Sequence, residues 1–194
     1  MATGGSEQVI FIKNMVCPRC VMVVRDTLND LGFDVEEVEL GKAVVRSADD
    51  DSLSELQQAL NEHGFELLQG REEQIVEQIK TRLVEYVRRS EMNKEMPKIS
   101  TFLSDRLHQN YASLSSLFSK KENITIEKYL IHLRIERVKE LLSYEELTLS
   151  EIAWKLNYSS VQHLSSQFKQ VTGMSVTDYK KASDTFRKPL DFTD

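Results

Sequence analysis

Two copies of one hydrophobic pattern lie 50 residues apart in the C-terminal half of the chain. Each copy begins with apolar residues at i, i+3 and i+4, continues through a short polar stretch, and ends with an apolar pair at i and i+4. This pattern predicts two short helices joined by a tight turn, which is typical of a helix-turn-helix motif. An accidental repeat in a plain helical bundle is the alternative. The aligned positions are Ile99 and Leu149, Phe102 and Ile152, Leu103 and Ala153, Leu114 and Leu164, Ser115-Ser116 and Ser165-Ser166, Phe118 and Phe168, and Tyr129 and Tyr179.

A longer helix is predicted between the two copies, because apolar residues continue there in one helical stripe. That stripe consists of Ile131, Ile135, Val138 and Leu142. Thr148 or Ser150 can cap the helix that follows, since both residues have hydroxyl groups that accept from a free backbone N–H. Asn123 and Gly173 come just after the second helix of each copy, and both tolerate the left-handed conformation of a helix C-cap. The C-terminal half is therefore predicted to be all-α.

Residues 98–182 resemble the DNA-binding domain of AraC/XylS-type transcription regulators. The similarity lies in the segments Tyr129–Leu142, Leu149–Ala153 and Phe168–Ser175. The resemblance implies two helix-turn-helix motifs joined by a long helix, with the second helix of each motif in the major groove of double-stranded DNA. It therefore implies a DNA-binding regulator of transcription and no enzymatic activity.

The expected DNA contacts lie on the second helix of each copy, away from the apolar pair. They are Ser113, Ser115, Ser116 and Ser119 in the first copy and Gln162, His163, Ser165, Ser166 and Lys169 in the second. The sequence departs from the family at several of these positions and near them. Ser116 and Ser166 replace the usual basic residues, Ser119 a usual Lys, Asn123 a usual Gly, Val176 a usual Pro and Leu164 a usual aromatic residue. An ordinary solvated face is the other interpretation of these serines.

The N-terminal part combines strand and helix patterns. Residues 8–13 alternate like a strand, residues 20–31 follow helical spacing, and residues 35–40 and 42–45 flank Gly41 as a hairpin. A second helix is predicted from Leu53, Leu56, Leu60 and His63, and residues 65–68 form a last short strand. The order βαββαβ is the ferredoxin-like plan, so the fold class is α+β.

Cys17 and Cys20 fall in the turn between the first strand and the first helix. A thiol at a helix N-terminus faces the positive end of the helix dipole, and Arg19 adds a positive charge. Both effects favour the thiolate, which is the form that binds metal. Two thiolates suit a soft ion of low coordination number, so Cu(I) is the first candidate and Ag(I) or another soft metal is similar, whereas Zn(II) would need two more ligands.

Residues 7–69 resemble the heavy-metal-associated domain of copper chaperones and metal-pumping ATPases. Met15, Cys17 and Cys20 match its Met-x-Cys-x-x-Cys motif, and Gly64-Phe65 matches the aromatic position of a facing loop. Asn14 stands where that family usually has Gly, and Val16 where it has a small polar residue.

Three other interpretations of the cysteines remain. They can form a thioredoxin-type redox pair, although that fold places a Pro beside the pair from a later strand, and Pro97 and Pro189 lie outside this part of the chain. The pair can also be purely structural, or His63 can supply a third metal ligand.

A long helix is predicted over residues 72–89, where Val76, Ile79, Leu83 and Tyr86 form an apolar seam. The seam either packs onto its own chain or pairs with a second chain in a homodimer. The predicted divisions are a heavy-metal-associated-like domain at 1–70, a helical connector and linker at 71–97, an AraC-like domain at 98–183 and a tail at 184–194. The linker itself is placed at 91–97.

Composition and charge narrow the functional classes. The chain is 29% charged and 40% hydrophobic, and its net charge is −6. Residues 1–70 hold 13 of the 31 acidic residues but only 5 of the 25 basic ones, so the remaining 124 residues are weakly basic, which permits DNA binding. No apolar run is long enough for a membrane span and the N-terminus does not look like a secretory signal, so a cytoplasmic location is expected.

These observations together predict a metal-responsive, DNA-binding transcription regulator. The alternative is a metal chaperone or sequestering protein whose helical half binds a protein partner.

Overall fold

The computed structural model describes residues 7–46, 50–93 and 95–186, so most of the predicted tail, residues 187–194, lies outside the described residues. The described elements follow one another as β1 (Glu7–Lys13), α1 (Pro18–Asp30), β2 (Asp34–Glu39), β3 (Lys42–Arg46), α2 (Asp50–Glu62), β4 (Glu66–Leu68), α3 (Arg71–Met92), α4 (Ile99–Leu107), α5 (Tyr111–Glu122), α6 (Ile126–Tyr144), α7 (Leu149–Lys155), α8 (Val161–Thr172) and α9 (Val176–Phe186). Among the helices of these residues, none has both the length and the apolar character needed to cross a membrane.

The first six elements have the predicted order βαββαβ, and the fold is mixed α+β. The four strands form one antiparallel sheet with the spatial order β2-β3-β1-β4. Strand β1 is central, since Val9 pairs with Val44 of β3 and Phe11 pairs with Leu68 of β4. The loop after β1 therefore starts in the middle of the sheet.

The core of the N-terminal part lies between the sheet and helices α1 and α2. Alternate residues of β1 enter this core, as Ile10 and Ile12 are buried while Val9 is exposed. The same core contains buried residues of both helices, of the other three strands and of the loops: Met15, Val24, Leu28, Phe33, Val38, Ala43, Val45, Leu56, Leu60, Phe65 and Leu67. The alternation and the helical spacing seen in the sequence thus select the buried faces.

The repeat is preserved in the structure of the C-terminal helices. Helices α5 and α8 each have 12 residues, and they start 50 residues apart. Asn110 and Ser160 cap their N-termini with side-chain oxygens that accept backbone N–H groups. The left-handed C-caps predicted at Asn123 and Gly173 are present, with φ values of 56° and 76°.

The N-terminus of α7 is fixed by Thr148, which resolves the choice between Thr148 and Ser150. The Thr148 hydroxyl accepts the backbone N–H of Glu151, and the Glu151 carboxylate accepts the backbone N–H of Thr148 at 2.7 Å. This reciprocal pair is a capping box, which satisfies two backbone donors that the helix cannot satisfy itself.

Helix α3 is longer than predicted. It continues to Met92, so Glu91 and Met92 belong to the helix and not to the linker predicted at 91–97. Glu91 is held there by Arg137. The seam residues Val76, Ile79, Leu83 and Tyr86 are all buried within the single chain. The first interpretation of the seam therefore agrees with the structure, and pairing with a second chain stays a prediction.

The chain divides into two compact units, one within Met1–Val84 and Leu103–Asn123, the other within Glu85–Phe102 and Ile124–Asp194. The second unit has its own core, formed by buried residues of α6, α7, α8 and the start of α9. These residues are Ile135, Val138, Leu141, Leu142, Ile152, Ala153, Leu156, Leu164, Phe168 and Val176. The domain boundaries drawn from the sequence stay predictions.

The capping box generates a stability prediction. We expect Thr148→Ala to lower the free energy of unfolding by about 1 kcal/mol, because an N-cap hydroxyl and its partner are lost. Urea unfolding followed by circular dichroism measures this change. Ser150→Ala removes the same hydroxyl two residues later, where it caps nothing, and should change stability by less than about 0.5 kcal/mol. Equal losses in both variants would contradict the assignment of the cap to Thr148.

Candidate thiol site and candidate nucleic-acid interface

Cys17 and Cys20 lie close together at the start of α1. Cys17 is the N-cap residue and has an extended backbone, and Pro18 occupies the first turn, where its missing N–H costs nothing. Cys20 lies one turn into the helix, so both side chains reach the same end of it. Their sulfur atoms are 3.4 Å apart, and both residues are free thiols of intermediate exposure.

The surroundings of Cys17 lower the pKa of its thiol. The largest contribution is the backbone N–H of Cys20, followed by the Cys20 thiol, and the backbone N–H and charge of Arg19 act in the same direction. Desolvation opposes them and is outweighed. This is the effect expected of a helix N-terminus, which offers N–H groups and a positive dipole end to an anion.

The loop before the cysteines is positioned by Asn14. Its φ of 71° lies in the left-handed region, which Asn tolerates better than most residues other than Gly. The Asn14 side-chain amide donates to the carbonyl oxygen of Gly64 at 2.9 Å, which ties this loop to the one before β4. Asn at this position, where the resembling family usually has Gly, is therefore compatible with the backbone. Residues 14–20 are called the thiol loop below.

Met15, Phe65 and His63, the other residues predicted near the thiols, do not join them in one cluster of side chains. Met15 and Phe65 are buried in the core between the sheet and the helices, so the Met15 side chain packs there. His63 is exposed after the end of α2. Among the described residues, no group of three or more His, Cys, Asp or Glu side chains could hold a metal ion. The candidate site in this part of the chain is the pair of thiols.

Helix α8 carries the second set of predicted DNA-contacting residues. Leu164 and Phe168 are fully buried, so the opposite side of the helix is left to solvent. On that side Gln162, His163, Ser166 and Lys169 are exposed, and Ser165 is half-buried. The cap of the helix also orients His163, whose backbone N–H donates to Ser160 and whose ring Nδ1 lies 3.1 Å from the Ser159 hydroxyl.

The turn that leads into α8 is fastened to the end of α3 within the second compact unit. Asn157, with a left-handed φ of 59°, donates its side-chain amide to the Ser90 carbonyl oxygen at 3.0 Å. Arg137 of α6 binds the nearly buried Glu91 carboxylate through two hydrogen bonds of 2.7 and 2.9 Å. This bidentate pair raises the pKa of Arg137 further above its already high value. The second motif therefore has fixed polar supports as well as an apolar core.

Helix α5 carries the first set of predicted contacts in the corresponding arrangement. Leu114 and Phe118 are fully buried. Ser113 and Ser116 are exposed, while Ser115 and Ser119 are half-buried. The solvent side of this helix thus presents small hydroxyl side chains, with Ala112 before them and Lys120 after them.

The basic residues of α5 lie at its C-terminal end. Lys121 forms ion pairs with Glu72 at 2.8 Å and Glu73 at 2.6 Å, both in the first turn of α3. Its neighbour Glu122 binds Lys80 of α3 at 2.8 Å. The ion pairs with Lys121 lower the pKa of Glu72 and of Glu73, and they raise the pKa of Lys121. The sequence did not predict these ion pairs. It shows only two adjacent acidic residues, Glu72 and Glu73, at the start of a predicted helix, and nothing there identifies Lys121 as their partner.

The predicted DNA contacts all lie on α5 or α8 and off the buried face. Their role in binding DNA stays a prediction, as does the role of Cys17 and Cys20 in binding metal.

Comparisons with known proteins agree with this geometry in the C-terminal part of the chain. Residues 103–182 match the family described as helix-turn-helix domain. The uncharacterized HTH-type transcriptional regulator YtdP of Bacillus subtilis is 30% identical over 79 residues, which cover 41% of this chain and 10% of YtdP. The HTH-type transcriptional activator RhaS of Escherichia coli is 25% identical over 84 residues, which cover 43% of this chain and 30% of RhaS.

Among solved structures, the C-terminal domain of AraT, a response regulator from Geobacillus stearothermophilus, is similar with a TM-score of 0.48 and 23% identity. The match covers 64% of this chain and 95% of that domain. The chain spans a third or less of the length of the two curated relatives above. The similarity in sequence therefore concerns the helix-turn-helix domain.

The lowered pKa of Cys17 generates a prediction on reactivity. At pH 7 iodoacetamide should modify Cys17 faster than Cys20, because the thiolate is the reacting form and Cys17 ionises at lower pH than an ordinary thiol. Trypsin cleaves after Lys13, Arg19 and Arg25, so each cysteine falls in its own peptide for mass spectrometry. The same reaction in concentrated urea is the control, since unfolding breaks the hydrogen bonds that these backbone N–H groups make to Cys17. If iodoacetamide modified Cys17 and Cys20 at equal rates in the folded protein, the start of α1 would not activate Cys17.

Proposed function

We propose that this chain, whose C-terminal part is an AraC-type helix-turn-helix DNA-binding domain, is a transcription regulator that binds double-stranded DNA and responds to a soft metal ion. The single observation that carries the DNA part is the repeat of one motif on α5 and α8. Both helices bury one apolar pair and turn a polar side outward. A helix of this kind fits the width of the major groove.

Helix α8 is the stronger candidate for reading bases. Gln162 has the side-chain amide that pairs with adenine in two hydrogen bonds, and Ser166 can donate to or accept from either base type. Lys169, exposed at the C-terminal end of α8, would neutralise a phosphate. Helix α5 offers serines and contributes less charge, since Lys121 is engaged with Glu72 and Glu73.

The metal part of the proposal rests on the thiol loop. The element order and the sheet order β2-β3-β1-β4 support a ferredoxin-like plan. The thiol pair follows β1, as the resemblance of Met15, Cys17 and Cys20 to the Met-x-Cys-x-x-Cys motif implies. Cys17 and Cys20 would hold the ion, which when bound joins the two sulfurs through soft metal–thiolate bonds. Two sulfurs favour Cu(I), with Ag(I) or another soft metal next, whereas Zn(II) would need further ligands.

A metal chaperone or sequestering protein is the second candidate function. It is favoured by one observation, namely that α5 presents serines where DNA readers usually have basic residues. In that case the outward faces of α5 and α8 would bind a protein. Selection of DNA duplexes separates the two candidates, because only a DNA reader enriches particular sequences.

The metal proposal predicts that one Cu(I) binds per chain under reducing conditions. Replacing both cysteines by Ser should abolish binding while circular dichroism stays unchanged, because the thiols are partly exposed and Ser nearly keeps the size of Cys20, which only borders the core. Competition with a chromophoric Cu(I) chelator measures the stoichiometry. Met15→Leu is the matched control, since it keeps the volume of a buried side chain and should leave Cu(I) uptake intact. Stoichiometric uptake by the double Ser variant would place the site elsewhere.

The DNA proposal predicts salt-dependent binding to a duplex selected from a random-sequence library with the full chain. Lys169→Ala should weaken binding and reduce the slope of log affinity against log salt by about one unit, as for one lost phosphate contact. Fluorescence anisotropy at several salt concentrations measures both. Lys42→Ala in β3 removes the same charge outside the helix-turn-helix domain and should leave the slope unchanged. An unchanged slope in Lys169→Ala would remove Lys169 from the interface.

The same assay tests the metal response. DNA affinity with Cu(I) should differ from that with chelator by about 5- to 150-fold, the usual range of allosteric coupling. Cys17→Ser should remove the difference. By linkage, the duplex must change Cu(I) affinity by the same factor. Equal DNA affinity in all three conditions would leave two independent modules on one chain.

A further inference from the structure

A cleft of about 230 Å³ lies between the outer face of the sheet and helix α3, within the first compact unit. The sheet contributes apolar side chains, since Val9 and Phe11 of β1 alternate with Ile10 and Ile12, which enter the core on the other face. Helix α3 contributes polar residues at i, i+3 and i+4, which share one side of a helix. This space is called the sheet cleft, and the residues that line it are Val9, Phe11, Leu40, Gly41, Lys42, Gln78, Thr81 and Arg82.

The walls of the sheet cleft are held together where the turn between β2 and β3 meets α3. Gly41 has a left-handed φ of 82°, and a Cβ atom there would lie 2.8 Å from Thr81 Oγ1. The Gly41 carbonyl oxygen also accepts the backbone N–H of Ile12 at 3.0 Å, which ties the turn to β1. The cleft is therefore formed before a ligand arrives, and a preformed site lowers the cost of ordering on binding.

The lining of the sheet cleft is basic. Among the described residues that line it there are two cations, Lys42 and Arg82, and no acid. Lys42 also binds Glu39 at 3.2 Å, but both side chains are partly exposed, and such a pair is weak enough to exchange for another anion. Arg82 has five N–H donors, so it can bind an anion and keep another partner.

The volume of the sheet cleft limits the size of a ligand. A cavity of about 150 Å³ takes benzene, and pockets for drug-sized molecules have about 300–1,000 Å³. A cleft of about 230 Å³ therefore fits one six-membered ring with a small substituent. The apolar sheet side suits the ring, and the basic residues suit a negatively charged substituent.

We propose that the sheet cleft binds a small organic carboxylate, with its apolar body on Val9 and Phe11 and its carboxylate group at Lys42 and Arg82. Val9 is 49% exposed, so the ligand would cover apolar surface that the fold leaves to water. No residue of the thiol loop lines the sheet cleft. This binding site is therefore independent of the metal site and of the DNA interface proposed above.

Titration of the full isotope-labelled chain with benzoate, followed by NMR, tests the site. Benzoate should shift the methyl signals of Val9 and Leu40 and the signals of Thr81 with one common dissociation constant. Benzamide has nearly the same shape without the charge, so it should bind at least about tenfold more weakly. Acetate keeps the charge but has no ring to bury, and it should also bind at least about tenfold more weakly.

A variant that fills the sheet cleft tests its location. Val9→Phe adds a ring at a strand position that is already exposed, so it should weaken benzoate binding by about tenfold or more without disturbing the core. Met22→Phe is the matched control, because Met22 is an exposed apolar residue of α1, which packs on the other face of the sheet. It should leave benzoate binding unchanged.

A variant that removes one cation tests the recognition of the carboxylate. Lys42→Met keeps most of the side-chain stem and removes the ammonium group, so benzoate should bind about fivefold or more weakly while benzamide binding changes little. Arg46→Met removes a positive charge from the same strand outside the sheet cleft, where Arg46 pairs with Asp34 and Glu36. It should leave benzoate binding unchanged.

The outcomes that would overturn the proposal are distinct. Absence of saturable benzoate binding, or signal shifts only at residues outside the lining, would overturn the site. Equal affinities for benzoate and benzamide would overturn the assignment of a carboxylate. Equal weakening by Lys42→Met and Arg46→Met would reveal a general effect of charge and overturn the role of Lys42, and this comparison holds even where Val9→Phe does not fold.

Discussion

Helices α5 and α8 of the C-terminal half each depend on burying one apolar pair. Helices of 7 to 12 residues, such as α7 and α8, are marginal on their own, since forming the first turn costs more than its hydrogen bond returns. Leu164 and Phe168 supply the missing stabilisation in α8, and Leu114 and Phe118 do so in α5. The same burial decides which side of each helix is left for a partner. The surface proposed to meet DNA is thus set by the core before any particular side chain on it matters.

Helix α3 has a comparable role for the chain as a whole. Its first turns belong to one compact unit, where Glu72, Glu73 and Lys80 hold the end of α5, and its last turn belongs to the other, where Glu91 holds Arg137. The apolar seam keeps the helix in place, and the ion pairs at its ends select which neighbours it holds.

The sequence was sufficient for the features that repeat at short range. The alternation of β1, the spacing of the apolar pairs and the C-caps at Asn123 and Gly173 all appear as expected, because each depends on residues within one or two turns. The end of α3 was predicted too early, since Glu91 is stabilised by Arg137, a partner 46 residues away. The ion pair of Lys121 with Glu73 could not be predicted for the same reason. Periodicity identifies a buried face but not the distant partner of a charged side chain at its border.

The equal length and identical spacing of α5 and α8 make them interchangeable building blocks. Both helices have a polar cap before the first residue, an apolar pair at the fourth and eighth residues, and a left-handed residue after the twelfth. The outward residues up to the ninth position can therefore be exchanged between the two helices without disturbing the caps or the buried pair, whereas Lys121 and Glu122 at the end of α5 are tied to α3. The outward side chains of α5 and α8 can therefore differ while their caps and buried pairs stay the same. The two copies can then contact two different surfaces of one partner.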